Sequence, residues 1–110
     1  MRVSFPEHDR DEVIAHLRER LPELEKELPL AKVVLFGSYV EGSYTAASDV
    51  DLLVVYRGAP RTDGYERVRK ILDLRGLEPH VYTVQEAAEM ADTLERMTRD
   101  GMVLYQGEAQ

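Results

Sequence analysis

The chain has 110 residues, of which 44% are hydrophobic, enough for one core and one domain. Its net charge of −7 argues against a protein that wraps nucleic acid, because phosphate binding depends on Lys and Arg, and the absence of Cys excludes disulfides, thiolate nucleophiles and Cys-based zinc sites. No apolar run approaches the roughly 20 residues of a membrane span and the N-terminus carries no signal-peptide pattern, so the expectation is a soluble cytoplasmic protein.

Residues 1–8 read as a short lead. Val13, Ile14, Leu17, Leu21, Leu24 and Leu28 then recur at three- and four-residue steps, the pattern of an amphipathic helix. Pro22 should kink or divide that helix, and Pro29 should end it. His8 and His16 stand alone in this region and read as surface residues. A strand follows at about 31–36, then a loop at 39–47 with room for one helical turn near 39–42. A second strand, opened by Asp49 and Asp51, runs to about Tyr56, where Arg57-Gly58-Ala59-Pro60 breaks it.

A helix over about 63–74 has Tyr65, Val68, Ile71 and Leu72 as its apolar stripe, and Gly76 ends it. Glu78 to Thr83 forms a third strand. The helix-bearing connection of about twenty residues from strand two suits a parallel crossover. Thr83-Val84-Gln85-Glu86 matches a capping box, starting a helix to about Arg99 that breaks near Asp92 and carries Met90 and Met97 in its core stripe. Gly101 stops it, Met102 to Tyr105 adds a short strand, and the remainder is a tail. The fold class is α/β with mixed character: a sheet of three to four strands packed with helices.

The chemistry concentrates at 33–56. Asp49 and Asp51 are two residues apart in a strand and therefore project on one face, with Val50 turned into the core. Two carboxylates that close repel unless a cation lies between them. Hard oxygen ligands of this kind suit Mg²⁺, which takes one or two carboxylates together with phosphate oxygens and water. Gly37 and Ser38 close the preceding strand, where the lack of a side chain lets backbone N–H groups approach phosphate oxygens. If the two strands are antiparallel neighbours, the Gly-Ser end faces the Asp-x-Asp end. Taken alone, Asp-x-Asp is equally compatible with a solvated strand end. Parallel pairing of strand three would bring Glu78 to the same edge, as a third carboxylate or as a strand-end surface acid. His80 shares its face and reads as a partly buried, hydrogen-bonded imidazole. Ser48 is a turn hydroxyl or a loop-orienting phosphate contact.

Gly37-Ser38, ten residues, then Asp49-Val50-Asp51 resembles the signature of the nucleotidyltransferase superfamily that includes DNA polymerase β. Leu35 to Gly42 and Ser48 to Val54 resemble its small prokaryotic branch, the minimal nucleotidyltransferases, or MNT domains. The resemblance covers most of the chain. It implies the nucleotidyltransferase fold and transfer of a nucleoside monophosphate from a nucleoside triphosphate, ATP in the first instance, to an acceptor hydroxyl. It further implies that Asp49, Asp51 and Glu78 hold one or two Mg²⁺ ions, with Glu78 also accepting the hydroxyl's proton, and that Gly37, Ser38 and Ser48 contact the nucleotide. Family members often carry basic residues where this chain has Tyr39 and Glu41; an acid there repels a triphosphate unless it points to solvent.

Larger superfamily members add a domain that holds the acceptor, and 110 residues leave no room for one. The resemblance implies a presented acceptor: minimal nucleotidyltransferases are frequently paired with a helical HEPN-domain protein as antitoxin and toxin, and the acceptor would be a tyrosine of the toxin; a homo-oligomer and a hetero-oligomer are both open. A non-catalytic module that binds nucleotide or partner and masks the partner is the rival. Antibiotic modification is a third reading, disfavoured by the missing second domain.

Overall fold

The computed structural model describes residues 10–41 and 49–107, with the side chain of Glu41 left aside. The lead at 1–8 with His8, Ser48, the orientation of Glu41 and the last three residues lie outside what is described. The described residues form strands β1 (Leu30–Phe36) and β2 (Val50–Tyr56), both rich in β-branched and aliphatic residues, and the more mixed β3 (Leu77–Thr83) and β4 (Met102–Gln106). They join in one sheet of order β3-β2-β1-β4. The helices are α1 (Arg10–Glu27), α2 (Ser38–Glu41), α3 (Gly64–Leu72), α4 (Val84–Glu89) and α5 (Ala91–Met97). This is the mixed α/β architecture that the sequence patterns imply, with the fourth strand present.

Both faces of the sheet are covered, so β1 and β2 read as near-continuous apolar runs rather than alternating ones. On one face Val13, Leu17, Leu21, Leu24 and Leu28 of the α1 segment pack with Val68 and Leu72 of α3 against Val33, Leu35, Val50, Leu52 and Val54. On the other, Leu94 packs on Val34, Phe36, Leu53 and Val55, with Ala87, Met90 and Met97 partly buried around it. Each fully buried Leu or Val contributes about 1.5–3 kcal/mol of transfer free energy, and both helical layers are held mainly by these stripes.

Pro22 does not divide α1, which runs unbroken from Arg10 to Glu27. A proline removes the hydrogen bond to the carbonyl four residues earlier, here that of Arg18. Arg18 and Pro22 are both exposed, so water can satisfy that carbonyl, while buried Leu17, Leu21 and Leu24 hold the helix to the sheet on either side. The stripe of α3 is rotated from the expected one. Tyr65 is 41% exposed, and buried Gly64 takes its place, with its Cα side 3.6 Å from the Tyr56 hydroxyl and Val81 as measured from an added Cβ. His16 is not a bare surface residue: its Nε2 lies 2.7 Å from the Leu72 carbonyl oxygen and 3.1 Å from that of Asp73, tying α1 to the C-terminus of α3. Those carbonyls are orphan acceptors of a helix end, which an imidazole N–H can satisfy.

The capping box is formed as expected: the Glu86 N–H donates to the Thr83 hydroxyl (3.1 Å) and the Thr83 N–H to the Glu86 carboxylate (2.9 Å). The helix it starts is split at Met90, two residues before Asp92, into α4 and α5. No described helix is long and apolar enough to cross a membrane.

β1 and β2 are antiparallel, with Leu35 opposite Leu52 and Phe36 opposite Asp51. β2 and β3 are parallel, with Asp51 beside Glu78 and Leu53 beside His80. The end of β1 and the starts of β2 and β3 therefore lie on one edge of the sheet.

Candidate active site at one sheet edge

The edge is built by the two pairings just described. Antiparallel pairing puts Gly37, the residue after β1, next to Asp51. Parallel pairing puts Glu78 next to Asp51 on the other side. Directly paired residues share a face, so Asp51 and Glu78 project on the face that carries Phe36 and Leu53, the side of α4 and α5. Asp49 projects on that face too, by the two-residue strand period. It is exposed at the tip, whereas Val50 between the two is 1% exposed and anchors the strand in the other layer.

Gly37 has φ +85°, the left-handed region that side chains other than hydrogen rarely adopt. This turns the chain directly from β1 into α2, whose Val40 N–H donates to the Gly37 carbonyl at 3.0 Å. A Cβ added at Gly37 would collide with the Asp51 carboxylate, lying 3.2 Å from its Cγ and closer still to Oδ2. The glycine thus makes room for the acid. Ser38 opens α2 and is half-buried.

Burial pushes the Asp51 carboxyl above the usual range; the nearby His80 opposes this by its charge, while Asp49 and Glu78 add to it as like charges. The His80 Nε2 to Asp51 Oδ1 distance is 3.8 Å, an ion-pair contact longer than a good hydrogen bond. The His80 ring also packs on Phe36, with centroids 5.4 Å apart and planes tilted by 51°.

The structure sets Gly37, Ser38, Asp49, Asp51 and Glu78 along one edge of the sheet, while Ser48 lies outside the described residues. Among the described residues, no three His, Asp or Glu side chains are gathered closely enough to enclose a metal ion by themselves. The donor set nevertheless fits a hard divalent cation held by Asp49 and Asp51, since Mg²⁺ takes only one or two carboxylates and fills its remaining positions with phosphate oxygens and water. The mutual repulsion felt at Asp51 is the electrostatic condition that such a cation relieves.

Sequence reasoning missed Arg10. Its Nη1 donates to the Val40 carbonyl at 3.0 Å, which brings a guanidinium beside α2, next to the turn where Tyr39 and Glu41 stand in place of basic residues. No local signal points to it, because Arg10 and Val40 are 30 positions apart. Tyr39 is a core residue, 3% exposed, which explains an aromatic at that position.

A family model described as Nucleotidyltransferase domain matches residues 14–105. A candidate protein adenylyltransferase of Methanocaldococcus jannaschii is 33% identical over 60 residues, covering 54% of this chain and 60% of that protein. The match thus spans about 60% of that relative's length. Among solved structures, a candidate nucleotidyltransferase from Sulfolobus solfataricus aligns with a TM-score of 0.59 at 21% identity, covering 88% of this chain and 83% of that one. A toxin–antitoxin complex with AMP-PNP aligns with a TM-score of 0.56 at 18% identity, covering 83% and 74%. A mutant MntA–HpeT toxin–antitoxin complex gives a TM-score of 0.55 at 18% identity, covering 91% and 75%. At these identities the structural likeness establishes the fold.

Proposed function

The chain belongs to the nucleotidyltransferase domain family, and from that premise we propose that it transfers AMP from ATP to a tyrosine hydroxyl of a HEPN-family toxin, acting as its antitoxin. The observation that carries this reading is the sheet edge itself: Gly37 against the Asp51 carboxylate on one side and Glu78 in register with it on the other. A relative named as a candidate protein adenylyltransferase supports the reaction type. Toxin–antitoxin neighbours, one of them with AMP-PNP, support the role and the nucleotide.

Asp49 and Asp51 are the residues that would hold Mg²⁺. Bound there, the cation supplies Lewis-acid stabilisation of charge on the phosphate oxygens. The backbone N–H groups at Gly37 and Ser38 bind the β- and γ-phosphates, which they can approach because Gly37 has no side chain. Ser48 orients the loop or adds a phosphate contact. Glu78 accepts the proton of the incoming hydroxyl. The acceptor hydroxyl oxygen forms a bond to the α-phosphorus, the bond from that phosphorus to the oxygen bridging to the β-phosphate breaks, and pyrophosphate leaves with the electron pair. A tyrosine suits this step, because its proton is removed more readily than that of an aliphatic alcohol. The partner presents the acceptor, and a nucleotide added to the tyrosine places a bulky anion on the partner's surface.

The test is to incubate the protein with a co-purified HEPN partner, ATP and Mg²⁺, and to read the partner by mass spectrometry. AMP-sized increments on a tyrosine are expected with the wild type and none with the Asp49→Asn/Asp51→Asn double variant. Full inhibition of the partner by that double variant, with no increment from either protein, would replace the enzyme with the masking module.

A further inference from the structure

On the reading that Asp51 holds a divalent cation, we infer that His80 is the residue that positions the Asp51 carboxylate for it. Three observations place the imidazole for this task. Parallel pairing sets His80 beside Leu53, two residues beyond the Asp51–Glu78 pair and on the same face. Its Nε2 faces Asp51 Oδ1 at 3.8 Å, with the two side chains 33% and 30% exposed. Its ring rests on Phe36, which is 9% exposed and is itself the cross-strand partner of Asp51.

The imidazole is therefore wedged between a core aromatic and the acid. Packing on Phe36 limits how the ring can turn, which keeps Nε2 aimed at Asp51. An N–H aimed from 3.8 Å can close on Asp51 Oδ1 and donate to it, leaving the other oxygen, Oδ2, toward Gly37. Such contacts are often long in ligand-free proteins and tighten when the site fills. Groups that fix a ligating carboxylate from behind typically change metal affinity by about 10–100-fold when removed. Asp49 is exposed at the tip of the edge.

The role requires a donated N–H, not the charge of an imidazolium, and this separates it from simple ion pairing and from ligation by His80 itself. Mn²⁺ is titrated into the protein without nucleotide and read by electron paramagnetic resonance at about pH 8. Wild type, His80→Phe, His80→Gln and Asp51→Asn are compared, with thermal unfolding of each. His80→Phe keeps an aromatic ring on Phe36 but has no N–H, and should bind Mn²⁺ about tenfold or more weakly. His80→Gln places an amide N–H near the position of Nε2 and should restore most of the affinity. Should His80→Phe fail to fold, His80→Ala carries the same comparison with His80→Gln. Wild-type affinity in His80→Phe or His80→Ala overturns the positioning role while leaving the cation site standing, and so does a His80→Gln variant as weak as those two. Absence of Mn²⁺ binding by the wild type, or binding unchanged by Asp51→Asn, removes the cation reading of Asp51 and the role of His80 together.

Discussion

Asp51→Asn should lower nucleotidyl transfer by about 10²–10³-fold or more, while making the ligand-free protein more stable near neutral pH. The loss follows from replacing a charged oxygen ligand by a neutral amide at the place where phosphate charge must be offset, an effect worth about 3–4 kcal/mol in a preorganised site. The gain in stability has the opposite origin. The Asp51 carboxyl is raised by burial and by its acidic neighbours Asp49 and Glu78, against the pull of His80. A carboxyl whose folded-state value lies above its unfolded value binds its proton more tightly when folded. Ionising it therefore destabilises the fold. The penalty is absent below the ordinary value of 3.8, develops as pH rises through the raised folded-state value, and is complete above it. Asparagine escapes that penalty. Urea unfolding at about pH 3 and about pH 7 should show the variant's advantage only at the higher pH, and a transfer assay should show the loss of activity. An advantage of equal size at both values would mean that the ionisation of Asp51 is not the source.

Gly37→Ala should nearly abolish transfer and also destabilise the fold, whereas Gly58→Ala should do only the second. Both glycines have positive φ, +85° at Gly37 and +100° at Gly58, so either alanine is strained by about 1 kcal/mol or more. The difference lies in the surroundings. Among the described residues nothing stands within 4 Å of a Cβ added at Gly58, while one at Gly37 meets the Asp51 carboxylate. Relieving that overlap costs about 1–3 kcal/mol in a packed site and must move either the acid or the turn into α2. A displacement of about 1 Å in reacting groups is enough to cost roughly 10²-fold in rate. Denaturation midpoints and transfer rates of the two variants are the comparison. If Gly37→Ala loses no more activity than Gly58→Ala, the close approach of backbone and carboxylate has no part in catalysis.

The elements legible in the sequence are those specified locally. The apolar runs of β1 and β2, the Thr83–Glu86 capping box and the break in the last helical region each depend on a few adjacent residues, and each is formed. The length of the β2–β3 connection was enough to indicate parallel pairing, and with it the placement of Glu78 beside Asp51. What was not legible depends on distant partners. The helix-breaking tendency of Pro22 is overridden by Leu17, Leu21 and Leu24 packing on the sheet. Tyr65 is exposed while Gly64 beside it is buried, facing Tyr56 of β2 and Val81 of β3. His16 finds the carbonyls that end α3, more than fifty positions away. At the site, the Gly-Ser and Asp-x-Asp spacing marked the edge. The Glu78-x-His80 spacing indicated only a shared face; the wedge of His80 between Phe36 and Asp51 needed the register of three strands. Arg10 carried no signal at all, since only the packing of α1 brings it to Val40.

The account stands most directly on whether the Asp49–Asp51 edge, facing Gly37 and Ser38, binds nucleotide through a divalent cation. Calorimetric titration of ATP into the wild type, Asp49→Asn and Asp51→Asn, each with and without Mg²⁺, measures this without requiring the acceptor. The expected result is binding by the wild type that depends on Mg²⁺, lost in both variants while their folds remain intact. Equal ATP affinity in all three proteins, or wild-type affinity indifferent to Mg²⁺, would contradict it.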